Sequence, residues 1–295
     1  MLYQQIAQNK RKTWMLVLLF MVLVLGIGWG IGYLINRDSI SGLVITVIIL
    51  AFYVPITYAS ASSQVLRMSG ARLATREEVP ELYHIVEELA LAARLPMPKV
   101  YLIHDASPNA FATGIKPEKS AVAFTTGLLD RLNREELEGV AAHELGHIRN
   151  YDIRLMTICI ALVGVIVMFA EFGSRMLFFG GGRRDNDRNK TNPLLMIIAV
   201  VFLILAPVAG QFVQLAVSRN REYLADASAV EFTRNPQGLI HALRKISEDP
   251  HDVKDANETT AAMYIASPFK KKRKSTNLWS THPATEDRIK RLEAM

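Results

Sequence analysis

The chain has 295 residues, half of them hydrophobic, with a formal net charge of +6 and a single cysteine. One cysteine excludes a disulfide framework and a thiolate metal cluster. The hydrophobic residues are concentrated in four long runs. We therefore assign the positive charge to contact with the anionic headgroups of a lipid bilayer, and we expect no nucleic-acid partner.

Two of these runs lie near the N-terminus. Residues 14–35 and 40–59 are each long enough to span the hydrocarbon core of a bilayer, and a short polar turn separates them. They predict a membrane hairpin whose N-terminus is cytoplasmic, because the basic residues 10–12 precede the first run. Four glycines in that run lack the spacing of a nucleotide-binding loop and suit close helix packing in lipid: Gly26, Gly28, Gly30 and Gly32.

The following segment, residues 60–152, has the composition of a soluble domain. Thr75 and Glu78 match a capping box and predict that a helix begins there. Three short segments after that helix predict strands: Lys99–Ile103, Asn109–Thr113 and Ser120–Thr126.

A second helix start is predicted just before a histidine-rich segment. Asn133 is a good N-cap, and Glu136 three residues later completes a capping box, so the helix is expected to begin at about Arg134. An apolar stripe at helical spacing follows in the sequence. The residues that come next therefore project from a helix.

That helix carries the sequence His-Glu-Leu-Gly-His at residues 143–147. His143 and His147 are i and i+4, so their imidazoles share a face and are held roughly 3 Å apart. Two such nitrogens fit one zinc shell, with Glu144 beside the open position, as in the His-Glu-x-x-His metalloproteases. We predict that both histidines bind a metal ion; the alternative is a pair of solvated helix histidines.

The third and fourth apolar runs, residues 153–179 and 193–217, predict a second membrane hairpin. Glu171 and Arg175 in the third run are i and i+4, and we expect them to pair near one end of the span. The connecting loop, residues 180–192, carries four basic residues although this topology places it outside the cytosol. A shallow or re-entrant second hairpin is therefore the alternative.

Two crossings return the chain to the side of the histidines, where a third ligand is required. Glu222 and Asp226 are i and i+4 on a predicted helix, so they share a face. Glu222 is suited to be the third zinc ligand. Asp226 is placed to accept a hydrogen bond from the non-ligating nitrogen of a zinc histidine, preferentially His143. An ordinary solvated helix surface is the alternative.

At this point the chain resembles the HtpX-type membrane zinc endopeptidases, the bacterial heat-shock relatives of the eukaryotic CAAX prenyl proteases. The resemblance rests on four segments in the family's order: residues 109–114, 143–147, 221–226 and 280–283. It implies a multi-pass α-helical membrane protein with a mainly helical α+β zincin catalytic domain of the gluzincin type. The expected layout is a hairpin at 1–59, the first half of the protease domain at 60–152, a second hairpin at 153–217 and the second half at 218–295.

The resemblance also implies a function and a location. It predicts one Zn²⁺ per chain and hydrolysis of peptide bonds in misfolded or membrane proteins during heat or envelope stress. It places the protein in the bacterial inner membrane, with the active site facing the cytosol. Unfolded or membrane proteins would be its substrates, and the lipid bilayer its other partner.

Roles within the site follow from the same chemistry. Glu144 would accept the proton of the attacking water, and His282 would stabilise the oxyanion, because the family motif places that histidine at the site. Residues 109–112 would form an edge strand on which the substrate backbone pairs, through Asn109, Ala110, Phe111 and Ala112. The alternatives are a helix-start role for His282, an internal strand, and a turn role for Asn109.

Other functions were weighed against this one. A CAAX-type prenyl-protein protease and a non-cleaving membrane adaptor of the same fold remain as alternatives. A channel is disfavoured, because channels usually bury ionisable residues within several spans, and here only Glu171 and Arg175 qualify. The basic run Lys270–Lys274 departs from the family pattern, and we interpret it as a headgroup contact or a solvated loop.

Overall fold

The structure is a computed structural model that describes residues 2–179, 219–256, 260–269 and 283–295. Its helices are α1 (Leu2–Asn36), α2 (Ser39–Met68), α3 (Pro80–Ala92), α4 (Thr126–Arg131), α5 (Arg134–Arg149), α6 (Asp152–Phe179), α7 (Arg219–Thr233), α8 (Pro236–Glu248) and α9 (Thr285–Glu293). Its strands are β1 (Arg72–Leu73), β2 (Lys99–Ile103), β3 (Ala110–Gly114) and β4 (Ser120–Thr125).

Helices α1 and α2 form the predicted N-terminal hairpin. Two segments within them are long and apolar enough to cross a membrane, Ala7–Gly30 and Ser39–Met68. Only 22% and 17% of their most apolar windows are buried inside the protein, so most of this apolar surface faces outward, as in a lipid-facing helix. The two helices approach closely at small residues: a β-carbon on Gly32 would lie 2.8 Å from the Cα of Gly42.

The sheet has the strand order β1-β2-β4-β3. Strand β2 pairs in parallel with β4, whereas β1 pairs antiparallel with β2, and β3 antiparallel with β4. Strand β3 is therefore an edge of the sheet. Among the described residues, no further strand pairs with the outer side of β3.

Both faces of the sheet are covered. On one face, Val122 and Phe124 pack in a core with residues of α3, α5, α7, α8 and α9. On the other face, Phe111 and Ala123 pack with residues of α1, α2 and α6. The alternation of side chains along a strand thus places α1, α2 and α6 on one face of the sheet and α3, α5, α7, α8 and α9 on the other.

Two predicted element starts need correction. The helix predicted from Thr75 and Glu78 begins instead at Pro80, with no side-chain cap on Val79. Proline lacks an N–H and favours the first helical turn, and it disfavours helical backbone in the residue before it. Strand β3 starts at Ala110 and not at Asn109, whose side-chain oxygen accepts a hydrogen bond from the N–H of Ala110.

Helices α5 and α6 are joined by a sharp turn at Tyr151, which has a positive φ of 58°. This left-handed residue is unfavourable for a non-glycine and persists where the surrounding contacts require it. Several predictions lie outside the described residues: the span 193–217, the loop 180–192, the run Lys270–Lys274, and the side chains of Glu171 and Arg175.

Candidate metal centre

The paired histidines lie on α5, whose start is fixed by the predicted capping box. The side chain of Asn133 accepts from the N–H of Glu136 at 3.0 Å, and the carboxylate of Glu136 accepts from the N–H of Asn133 at 2.9 Å. One face of the helix then presents His143 and His147, with their Nε2 atoms 3.1 Å apart. Both imidazoles therefore direct the same ring nitrogen towards one point.

Helix α7 brings Glu222 to that point. Its two carboxylate oxygens lie 3.7 Å from Nε2 of His143 and 3.7 Å from Nε2 of His147. The close approach of α7 depends on Gly146, because a β-carbon there would lie 3.1 Å from the carbonyl oxygen of Ala225. A larger residue would push α7 away from the histidines.

The donor set fits a divalent metal ion. One ligand atom from each of His143, His147 and Glu222 lies within 4.8 Å of the other two. Two imidazole nitrogens and one carboxylate, with room for a fourth ligand, are the donors of catalytic zinc sites. Both oxygens of Glu144 are buried beside this cluster and have no hydrogen-bond partner among the described residues, as a group directed towards a reaction centre would be.

Burial also changes the acidity of Glu144. The side chain is 1% exposed, and this loss of solvation raises the pKa of its carboxyl group above the usual range. The nearby imidazoles of His143 and His147 act in the opposite direction but do not outweigh burial. Glu144 is therefore a stronger base than a solvated glutamate.

The carboxylate of Asp226, also on α7, lies 2.9 Å from Nδ1 of His143. Arg288 on α9 donates to the same carboxylate through Nε, at 2.9 Å, and through Nη2, at 2.6 Å. Burial disfavours the ionised form of Asp226, but Arg288 and His143 outweigh it and hold its pKa below the usual range. The contact with Asp226 leaves Nε2 of His143 directed at the cluster.

His143 itself is fully buried, and two opposing effects set its pKa. Burial and the positive charge of Arg288 lower the pKa. Hydrogen bonds to the carboxylates of Asp226 and Glu222 raise it and prevail, to about 9. The carboxylates around His143 therefore favour positive charge at that imidazole.

A second carboxylate orients the second histidine. Oδ2 of Asp152, the first residue of α6, lies 3.3 Å from Nδ1 of His147. Asp152 could not be predicted from helical spacing, because the helix breaks at Tyr151. Arg288 was not predicted either, although an arginine on the inner face of α9, four residues before the buried Leu292, was a signal.

The cavity at the cluster is bounded by strand β3 on one side. Ala112 lines it together with Glu144 and His147, and Met156 and Met263 supply apolar walls. Strand β3 and the histidine helix thus border one small cavity, which also contains the side chain of Glu144.

The outer backbone edge of β3 is hydrogen-bonded at Ala110 and Gly114. The carbonyl of Ala110 accepts from the N–H of Ile265 at 2.9 Å, and the N–H of Gly114 donates to Thr157 Oγ1 at 3.0 Å. Alternate residues of a strand direct their N–H and C=O to the same side. Ala112 therefore presents both groups outward, and in the described part of the chain neither has a partner.

The remaining predicted site residues are placed as follows. Asn109 is fully buried, and its amide donates to the carbonyl of Ala266 at 3.1 Å, so its side chain fixes the 260–269 segment against β3. Phe111 faces the core shared with α1, α2 and α6 and packs edge-on against Tyr264, with ring centroids 5.3 Å apart. His282 lies outside the described residues.

Comparisons with known proteins agree on one family. The family model described as Peptidase family M48 matches residues 76–295. Two proteins described as Protease HtpX homolog match over the full length of both chains: one from Ligilactobacillus salivarius (strain UCC118), 51% identical over 298 residues, and one from Listeria monocytogenes serotype 4b (strain CLIP80459), 50% identical over 304 residues.

A solved structure supports the fold. The crystal structure of S. mikatae Ste24p matches with a TM-score of 0.50 and 20% sequence identity, covering 96% of this chain and 67% of that one. At this identity the similarity concerns the fold alone: a helical protein with a small sheet.

Proposed function

The chain belongs to peptidase family M48, and on that basis we propose that it is a zinc-dependent endopeptidase that cleaves misfolded or membrane proteins. That it is a membrane metalloprotease follows from relatives about half identical over the whole chain and from its two candidate membrane helices. The zinc, the residue roles, the substrates and the topology are the proposed parts.

One observation carries the proposal: three side chains from helices far apart in sequence meet at one point. His143, His147 and Glu222 would hold the metal ion, and Asp226 would orient His143. A bound zinc ion would polarise the scissile carbonyl and lower the pKa of water at the site. Proton transfer and oxyanion stabilisation would be carried out by side chains of the protein.

Glu144 acts as the general base. Its free oxygens accept a proton as the oxygen of water adds to the carbonyl carbon, and they return that proton to the amide nitrogen as the C–N bond breaks. Water is consumed, and a carboxyl group and an amine are formed. His282 is proposed as a donor to the oxyanion, on the family motif alone.

Substrate binding is proposed at β3, and within it at Ala112. Asn109 and Ala110 are engaged by the 260–269 segment, and Phe111 is turned to the opposite face. The free N–H and C=O of Ala112 offer two main-chain hydrogen bonds to an extended peptide. Because main-chain bonds do not depend on side-chain identity, this arrangement suits a protease of broad specificity.

The proposed topology is multi-pass, with the gluzincin-like catalytic domain on the cytosolic side of the bacterial inner membrane. Residue Asn9, near the start of α1, contacts Asp152 at the start of α6, so the N-terminal end of the first span lies on the side of the metal site. The basic residues 10–12 favour the cytosol for that side. The second hairpin, residues 153–217, belongs to the proposal on hydropathy alone.

A cleavage assay tests the proposal. The purified full-length protein in detergent is expected to cut unfolded casein, to lose this activity when a chelator removes the metal, and to regain it with stoichiometric zinc. Binding of casein without cleavage would favour the adaptor alternative. A metal-free preparation that still cleaves would contradict the proposal.

A further inference from the structure

Asn9 lies at the beginning of the first membrane helix, yet it is only 6% exposed. It precedes the basic residues 10–12, in a part of α1 where a polar side chain is expected to be solvated. Its amide nitrogen instead lies 2.6 Å from Oδ1 of Asp152 and 3.3 Å from the carbonyl oxygen of Asn150. Both acceptors belong to the junction of α5 and α6.

The carboxylate that Asn9 contacts is the one that orients a candidate metal ligand. Oδ2 of Asp152 lies 3.3 Å from Nδ1 of His147, while Oδ1 accepts from Asn9. The side chain of Asp152 is 3% exposed, so water does not replace either partner. The two oxygens of one buried carboxylate thus link an α1 side chain to an α5 imidazole.

We propose that Asn9 is a positioning residue for the metal ion, acting through Asp152 on His147. The inference rests on the proposed metal site. A histidine that donates its Nδ1–H to a carboxylate is held in the tautomer and orientation that leave Nε2 free for the metal. The carboxylate performs this role only if it is itself held, and Asn9 supplies the hydrogen bond that fixes its rotation.

The local structure holds Asn9 for this task. Its carbonyl oxygen accepts a hydrogen bond from Thr13 Oγ1 at 2.9 Å, and this bond within the helix stabilises the first turns of α1. On the other side, the left-handed Tyr151 directs Asp152 back towards α5 and α1. The N-terminal membrane helix is therefore a part of the catalytic centre as well as an anchor, and its displacement would loosen a metal ligand.

Metal affinity tests the inference, measured on the full-length protein in detergent by competition with a chromophoric zinc chelator. Asn9→Ala is expected to weaken binding about 10-fold, the lower end of the loss typical for groups that orient metal ligands. Gln8→Ala is the matched control, because Gln8 is exposed on the same turn of α1 and is expected to bind zinc like the parent.

Two further variants separate positioning from packing. Asn9→Asp keeps the size of the side chain, but it replaces the amide that donates to Asp152 with a second carboxylate, which can only accept. Positioning predicts that it loses more affinity than Asn9→Leu, whereas a packing role predicts the reverse order. In the double variant Asn9→Ala with Asp152→Asn, affinity is expected to equal that of Asp152→Asn alone, because Asn9 acts only through that carboxylate.

Each outcome decides the question. Parental affinity in Asn9→Ala, a milder effect of Asn9→Asp than of Asn9→Leu, or a full additional loss in the double variant would overturn the inference and leave the metal site intact. Failure of the parental protein to bind zinc at all would overturn the proposed function together with it.

Discussion

Oδ1 of Asp226 lies 2.9 Å from Nδ1 of His143, and the guanidinium of Arg288 donates to both oxygens of the same carboxylate. All three side chains are buried, and they come from α7, α5 and α9. Arg288 also donates to the carbonyl of Ile265 at 2.7 Å, which ties the 260–269 segment to the same point. One ionic network thus joins the two sequence halves of the site.

Arg288 is therefore expected to be required for stability as well as for the metal. Arg288→Met keeps most of the side-chain volume but leaves the buried carboxylate of Asp226 without its cation, at a cost of about 3–5 kcal/mol. The expected result is a lowered midpoint of thermal unfolding, together with weaker zinc binding. Arg244→Met is the control, because Arg244 forms an exposed ion pair with Glu293. Equal midpoints for the two variants would refute the network.

Replacing Glu144 separates metal binding from catalysis. Glu144→Gln keeps the shape of the side chain but cannot accept the proton of the attacking water. Casein cleavage should fall by about 10²–10⁴-fold, while zinc content stays at the parental level. Parental cleavage rates in Glu144→Gln would show that the general base is another group.

Replacing Glu222 removes a ligand. Glu222→Ala is expected to lose both zinc, measured by elemental analysis after gel filtration, and casein cleavage. The control is Glu231→Ala on the same helix, since Glu231 is an exposed carboxylate paired with Arg149. Retention of a full equivalent of zinc in Glu222→Ala would exclude Glu222 from the metal shell.

The free backbone of Ala112 is tested with proline. Ala112→Pro removes the outward N–H, and an edge strand accepts proline on its unpaired side. We expect a loss of casein cleavage expressed mainly as a raised KM, with zinc content unchanged. Ala112→Gly keeps both main-chain groups and should retain a KM near the parental value. If the KM values of the two variants agree, the substrate does not pair with this residue.

Single cysteines report the topology, because the native Cys159 is buried. With a membrane-impermeant thiol reagent on spheroplasts, Ser39→Cys at the start of α2 should react at once. Gln8→Cys should react only after permeabilisation. Asn186→Cys in the loop 180–192 should behave like Ser39→Cys if the second hairpin spans the membrane. The opposite pattern for the first two positions would place the metal site outside the cytosol.

Local sequence rules account for the parts of the site that lie within one element. The capping box of Asn133 and Glu136 and the i, i+4 spacing of His143 and His147 are set by helix geometry, so the start of α5 and the shared face were predictable. Strand β2 was predicted with its exact bounds for the same reason. The predicted start of α3 was wrong, because Pro80 begins the helix in place of the capping box predicted at Thr75.

Contacts between elements were harder to predict from the sequence. Asp152 follows His147 across a helix break, so no spacing rule connects them. Asn9 and Arg288 reach the site from opposite ends of the chain, and their partners depend on how α1 and α9 pack. The arginine on the inner face of α9 is a detectable signal that does not identify its partner. The sequence around Asn9 gives no signal, because a polar side chain before a basic run is expected to be solvated.

The most direct test of the account is X-ray absorption at the zinc edge, recorded on active full-length protein. We expect one zinc ion per chain, with two imidazole nitrogens at about 2.0–2.1 Å and oxygen ligands at about 2.0–2.2 Å. Active protein that contains no zinc, or a zinc shell without imidazole scattering, would contradict the assignment of His143, His147 and Glu222.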